Sequence, residues 1–278
     1  AGCPAFGAGF FAIPGGDTCL KIGGYMNYMG TFNGSNAGIT SAQVSQAGNY
    51  GVTMDARSNS DLGVVRGFLN VENAGTSDAY VQFSGLTAGK HANMADIAGT
   101  QGWNYGSGLG AGSFDSGLKY DIALGGSTVS VGAYNAANNN ATAANVADIP
   151  DFQVGLKVPA GAVTFQVVGA THQVTDAATD QGYTGRGTTA VADSDGANRN
   201  LSTGSNFGGQ VAYNMGVGSL AVAADQYTAS LNGANTTVTS YNVSYIHSVA
   251  KGLSVEPEFW SSTQNVGGAN TTTNTVYL

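Results

Sequence analysis

The chain has 278 residues, enough for one large all-β domain or two small ones, yet only 9% of them are charged. Soluble domains carry roughly 25% charged residues to cover a wetted surface, so this composition excludes an ordinary water-facing exterior for much of the molecule. A formal charge of -8 and a pI of about 4.5 argue against nucleic acid as a partner, since a basic face supplies most of that affinity.

Two cysteines, Cys3 and Cys19, flank the N-terminal segment, and the chain has no others. An even pair suggests one disulfide made in an oxidising compartment, worth roughly 3 kcal/mol for a loop of about 15 residues in the chain-entropy model; two free thiols are the alternative. His91, His172 and His247 lie far apart and none has ligand spacing to a cysteine, so no metal site is expected. Ala1 reads as a mature terminus left by signal-peptide cleavage.

From there on, apolar and polar residues alternate with period two, the pattern of strands with two unlike faces. Strands are predicted over residues 20–30, 50–58, 64–72, 78–84, 86–91, 117–124, 127–134, 151–158, 162–174, 207–215, 219–228, 238–249, 253–261 and 273–278, fourteen in all. In 151–158, Phe152, Val154, Leu156 and Val158 share one face, and Asp151, Gln153, Gly155 and Lys157 the other. On the second strand Val52, Met54 and Ala56 point outward and Thr53, Asp55 and Arg57 inward. The third places Val65, Gly67, Leu69 and Val71 outward and Val64, Arg66, Phe68 and Asn70 inward, and the fourth exposes Ala79, Val81 and Phe83.

Tight connections (59–61, Gly85, Gly125-Gly126, Pro159-Ala160-Gly161) tend to alternate with long ones (92–114, 135–150, 175–206). No stretch reaches the roughly 18 apolar residues of a membrane helix. With lipid outside, every backbone group must pair within the sheet, so the expected fold is an all-β transmembrane antiparallel barrel. No fixed repeat period supports a solenoid or propeller, and no linker marks a second domain. The expected organisation is therefore a periplasmic-side segment over residues 1–19 and a single barrel over 20–278.

The stretch Cys3-Pro4-Ala5-Phe6-Gly7-Ala8-Gly9-Phe10-Phe11-Ala12-Ile13-Pro14-Gly15-Gly16-Asp17-Thr18-Cys19-Leu20-Lys21-Ile22-Gly23-Gly24-Tyr25 resembles the start of alphaproteobacterial outer-membrane porins of the Brucella type. Ala79-Tyr80-Val81-Gln82-Phe83-Ser84-Gly85-Leu86-Thr87-Ala88-Gly89 is similar to the strand-turn-strand before that family's pore-folding loop. The resemblance covers about the first third of the chain. It implies a Gram-negative outer-membrane barrel, commonly of sixteen strands and trimeric, whose third loop folds into a water-filled pore. Two departures stand out: the pattern yields fourteen strands, and Val276-Tyr277-Leu278 lacks the terminal Phe common in bacterial barrels.

A pore works through a constriction and the field across it. The loop 92–114 is the expected constriction, with Asp96 and Asp115 negative and Trp103 and Tyr105 packing it to the wall; an ordinary external loop is the other reading. Lys21, Arg57 and Arg66 are expected to face it from the early strands, either setting a transverse field or pairing with Asp55 or Glu72. Lys119, Asp121, Glu256 and Glu258 also fall on inward positions. Glu256 and Glu258 have no positioned nucleophile, so a lumen lining is preferred to an acid/base pair, and no enzyme activity is expected.

Asp193-Ser194-Asp195-Gly196 lacks the Glu that closes a calcium loop, and Gly106-Ser107-Gly108-Leu109-Gly110 lacks the context of a phosphate loop; no cofactor is expected. The expected function is passive diffusion of small hydrophilic solutes and ions, with mild cation preference. The expected partners are outer-membrane lipid, including lipopolysaccharide, and two further copies in a homotrimer. The competing reading is a non-channel structural or adhesive surface β-protein.

Overall fold

A computed structural model describes residues 2–35, 44–61, 63–73, 75–92, 94, 114–134, 150–175, 201–231 and 234–278. After a short 3-10 turn, Pro4–Phe6, the strands are β1 (Phe11–Ala12), β2 (Cys19–Ser35), β3 (Val44–Ser60), β4 (Gly63–Glu72), β5 (Gly75–Phe83), β6 (Leu86–Ala92), β7 (Phe114–Leu124) and β8 (Ser127–Tyr134). Then follow β9 (Asp151–Ala160), β10 (Val163–Thr175), β11 (Leu201–Asn214), β12 (Gly218–Leu231), β13 (Ala234–Ala250), β14 (Leu253–Val255), β15 (Glu258–Val266) and β16 (Ala269–Tyr277).

All belong to one antiparallel sheet in which consecutive strands pair and β16 returns to β2. β2 to β13 supply twelve staves, β14 with β15 the thirteenth and β16 the fourteenth, so the barrel closes at fourteen and not at the sixteen that the family resemblance implies. Pro257 explains the one divided stave. Lacking an N–H it cannot complete the ladder, and the expected single strand 253–261 breaks around it. β14 and β15 keep a common register against β13 across that gap.

The two seams of β2 are unequal. It is in register with β3 from Cys19↔Arg57 to Phe32↔Val44, but with β16 only from Thr31↔Tyr277 to Ser35↔Thr273. Gly30 and Leu278 add two mutual hydrogen bonds of 2.7 and 2.9 Å. At the opposite end of the same edge the two-residue β1 pairs with Leu20 and Cys19.

Two-residue turns explain several tight connections. Gly125 (φ 57°) and Gly126 (φ 92°) join β7 to β8, and Gly267 (φ 59°) and Gly268 (φ 90°) join β15 to β16. Positive φ at both central positions matches the right-handed strand twist. The second turn corrects the expectation for residues 262–272, which are mostly paired strand instead of loop.

Side chains settle which face is which. Phe152 on β9 is 53% exposed and its neighbour Gln153 only 4%; on β13 Tyr241 is 57% exposed and Asn242 only 2%. Leaving large apolar side chains in water forgoes roughly 1.5–3 kcal/mol apiece relative to burial. The exposed Phe, Val, Leu and Tyr residues recur on one face of most strands, as a lipid exterior requires. The inner face instead holds Asp55, Asn70, Gln153, Gln210, Asp225, Ser240, Asn242 and Ser244, all buried.

Candidate functional site: the inner wall of the barrel

Among the described residues, the densest charge cluster lies on β3, β4 and β5, where period two aims alternate residues inward. Register places Arg57 beside Arg66, and Arg66 beside Gln82. Two guanidinium groups side by side repel each other unless a carboxylate intervenes, and Asp55 does so. Its Oδ2 accepts from Arg57 Nη2 at 2.8 Å, and its Oδ1 accepts from both Arg57 Nε and Arg66 Nε at 3.0 Å. Arg66 Nη1 also donates to Tyr80 Oη at 3.2 Å, while its guanidinium lies 4.8 Å from the Phe68 ring centroid. These contacts fix the fork in one orientation, leaving a cluster with one net positive charge.

The N-terminal segment reaches this cluster. Cys3 and Cys19 form a disulfide, and Cys19 pairs in register with Arg57. Buried Phe10 receives the Arg57 guanidinium 4.8 Å from its centroid and Lys21 Nζ at 5.9 Å. Lys21 therefore meets an aromatic face, while the carboxylate of its register partner Asp55 is held by the two arginines.

Further round, Lys119 Nζ lies 3.1 Å from Asp121 Oδ2, and Ser130 Oγ donates to Asp121 Oδ1 at 2.6 Å. Asp115 stands at the start of β7 in register with His91. Asp96, Trp103, Tyr105, Gly106 to Gly110 and Asp193 to Gly196 lie outside the described residues. On the far strands Glu258 is buried and accepts a hydrogen bond from Asn242 Nδ2, whereas Glu256 falls at the break between β14 and β15 and is less buried.

One feature of this wall has no signal in strand periodicity. Met94, just beyond β6, is buried, its N–H donates to Gln153 Oε1 at 2.7 Å, and its side chain clusters with Tyr134, Val168, Ala170, Tyr227 and Val238. Those partners sit on inner positions of β8, β10, β12 and β13. The chain leaving β6 thus enters the barrel at Met94. Two further inner residues escaped the sequence reading: His91, whose ring meets Tyr134 edge-on at 5.4 Å, and Tyr134 itself. Alternation does place Lys157 inward, but it could not mark it as distinct from other lining residues.

Tyrosines also cover glycines on the inner face. Tyr25 spans its register partner Gly51, Tyr134 spans Gly117, and Tyr227 lies against Gly204 on β11. A Cβ on Gly117 would lie 2.6 Å from the Ala133 carbonyl oxygen and 2.7 Å from the Tyr134 ring, so only glycine admits this packing.

A family model described as "Porin subfamily" matches residues 2–277. The protein y4fJ of Sinorhizobium fredii, named for the outer membrane, is 35% identical over 107 residues, and the match spans 31% of each chain. Outer-membrane expressed OmpT of Vibrio cholerae superposes with a TM-score of 0.60 at 15% identity, covering 93% of this chain and 80% of that one. The outer membrane channel DcaP of Acinetobacter baumannii gives 0.52 at 12% identity, covering 92% and 97%. At such identities these two structures speak for the barrel fold.

Proposed function

For a chain that belongs to the porin family and lies in the Gram-negative outer membrane, we propose that the barrel is a water-filled pore for passive diffusion of small hydrophilic solutes and ions. The observation that carries this reading is its inside-out sidedness. Large apolar side chains face outward and polar or charged groups face the lumen, an arrangement that suits a wetted interior within lipid. Asp55, Arg57, Arg66, Lys21, Lys119, Glu256 and Glu258 line the path, and Asp96 and Asp115 supply negative charge from the loop after β6 and its return. Entry of Met94 into the barrel supports an inward course for that loop.

Transport needs no covalent chemistry, and the two glutamates act as fixed charges. Five inward bases, Lys21, Arg57, Arg66, Lys119 and Lys157, belong to β2–β9, where acids also occur. β10–β16 carry acids but no Lys or Arg. This imbalance sets a field across the lumen and, with the net charge of -8, favours cations mildly. Residues 1–19 form a segment at the tight-turn mouth, and the barrel proper begins at Leu20. The outer belt contacts lipid, with lipopolysaccharide in the outer leaflet, and part of it joins two further copies in a homotrimer.

Reconstitution into planar bilayers tests the reading. Stepwise conductance increments are expected; folded protein that inserts without them would contradict the pore and favour a non-channel surface role. A heat-labile species at three times the chain mass is the expected sign of the trimer.

A further inference from the structure

The inner wall formed by β7 to β10 contains a recess of about 350 Å³, at the lower end of small-molecule sites, which span roughly 300–1,000 Å³. It is separate from the Asp55 cluster and has its own complement of charge. Lys119 and Ser130 are both committed to Asp121, the one acid lining the recess among the described residues. Lys157 is different. It is exposed to the lumen, and among the described residues its ammonium has no ion-pair or hydrogen-bond partner.

Register sets Lys157 between Thr128 on β8 and Gln166 on β10, so the three side chains stand in one row on the inner face. Gln166 Oε1 is shielded from solvent and, among the described residues, has no hydrogen-bond donor, an omission that costs about 1–3 kcal/mol unless a donor arrives. Buried Val168 and Met94 give the recess an apolar floor beside this polar row.

We propose that this recess is a solute subsite for small hydroxylated carboxylates, sugar acids being the type. The proposal rests on the pore reading and narrows the class of solute that the pore handles. A single carboxylate matches the one free ammonium, whereas a phosphate dianion calls for two. With the Gln166 amide turned toward the recess it lines, a hydroxyl on the same molecule supplies the donor that Oε1 lacks, and the carbon chain lies against Val168 and Met94. An amino acid offers a donor too, but its ammonium would stand beside Lys157 and be repelled.

D-gluconate is the probe, with sorbitol (hydroxyls without carboxylate) and propionate (carboxylate without hydroxyls) as controls. Added to single reconstituted channels, gluconate is expected to interrupt the current in a saturable manner that neither control reproduces at equal concentration. Lys157→Gln should weaken the half-saturating concentration about tenfold and Gln166→Leu about fivefold, while Lys157→Arg stays within about threefold. Equal action of gluconate and propionate, or an unchanged response in Lys157→Gln, would overturn the subsite. Equilibrium dialysis of labelled gluconate against the detergent-solubilised protein separates the two claims. Binding without conductance defeats the pore and leaves the subsite, and conductance without binding defeats the subsite alone.

Discussion

The wall from β2 to β9 and the wall from β10 to β16 face the same lumen with opposite designs. The first uses long charged side chains held in ion pairs yet still wetted: Arg57 and Arg66 retain 29% and 25% side-chain exposure. The second uses short polar groups packed out of reach, Ser240, Asn242 and Ser244 being almost wholly buried and Asn242 in register with Trp260. On the proposed pore reading, the difference bears on where selectivity resides. Among the described residues, the charges that a solute can touch then lie mainly on the first wall, while the second contributes shape and a background of buried acid. The Asp55 cluster and the Lys157 recess are accordingly both on the first wall.

The largest effect should come from denying that the two walls share one exterior. Arg in place of outward Val154 on β9 or outward Val243 on β13 should each cost about 2–4 kcal/mol where the residue sits near the bilayer midplane, read from urea unfolding in lipid vesicles. A tolerated Val243→Arg would mean that this side of the second wall does not meet lipid. Next, Gly117→Ala forces a methyl against the Ala133 carbonyl and the Tyr134 ring, and should cost about 1–3 kcal/mol. A neutral result would show that the Tyr134–Gly117 packing is loose.

Asp55→Ala leaves Arg57 and Arg66 as unshielded register partners. Loss of about 1–2 kcal/mol is expected, tempered by the wetness of both arginines, together with a shift of selectivity toward anions. Smallest should be Glu258→Gln. Its amide oxygen still accepts from Asn242, so stability should change by less than about 1 kcal/mol while one negative charge leaves the second wall.

Period two made the barrel readable because a one-residue slip would put every apolar side chain in the lumen and every polar one in lipid. It recovered fourteen staves. Strand ends were read short where the alternation loses its apolar member. Residues 44–49, Val-Ser-Gln-Ala-Gly-Asn, are paired strand beyond the expected start at 50. Pro257 carried its own warning, since a residue without an N–H interrupts an interior ladder. Pairing of both arginines with Asp55 was foreseen as the alternative to free charges. The entry of Met94 and the tyrosine lids over Gly51 and Gly117 depend on which strands curve toward one another, and single-strand periodicity carries no such information.

The central claim, two unlike walls around one conducting lumen, is tested most directly by the reversal potential of Arg66→Ala and Glu258→Gln channels in a tenfold KCl gradient. Both variants must first match the parent in heat stability. Removing Arg66 takes the Asp55 cluster from one net positive charge to none, so cation preference should rise; removing the Glu258 charge should lower it. Shifts in opposite directions are predicted. Shifts in the same direction, or no shift in either variant, would contradict the account.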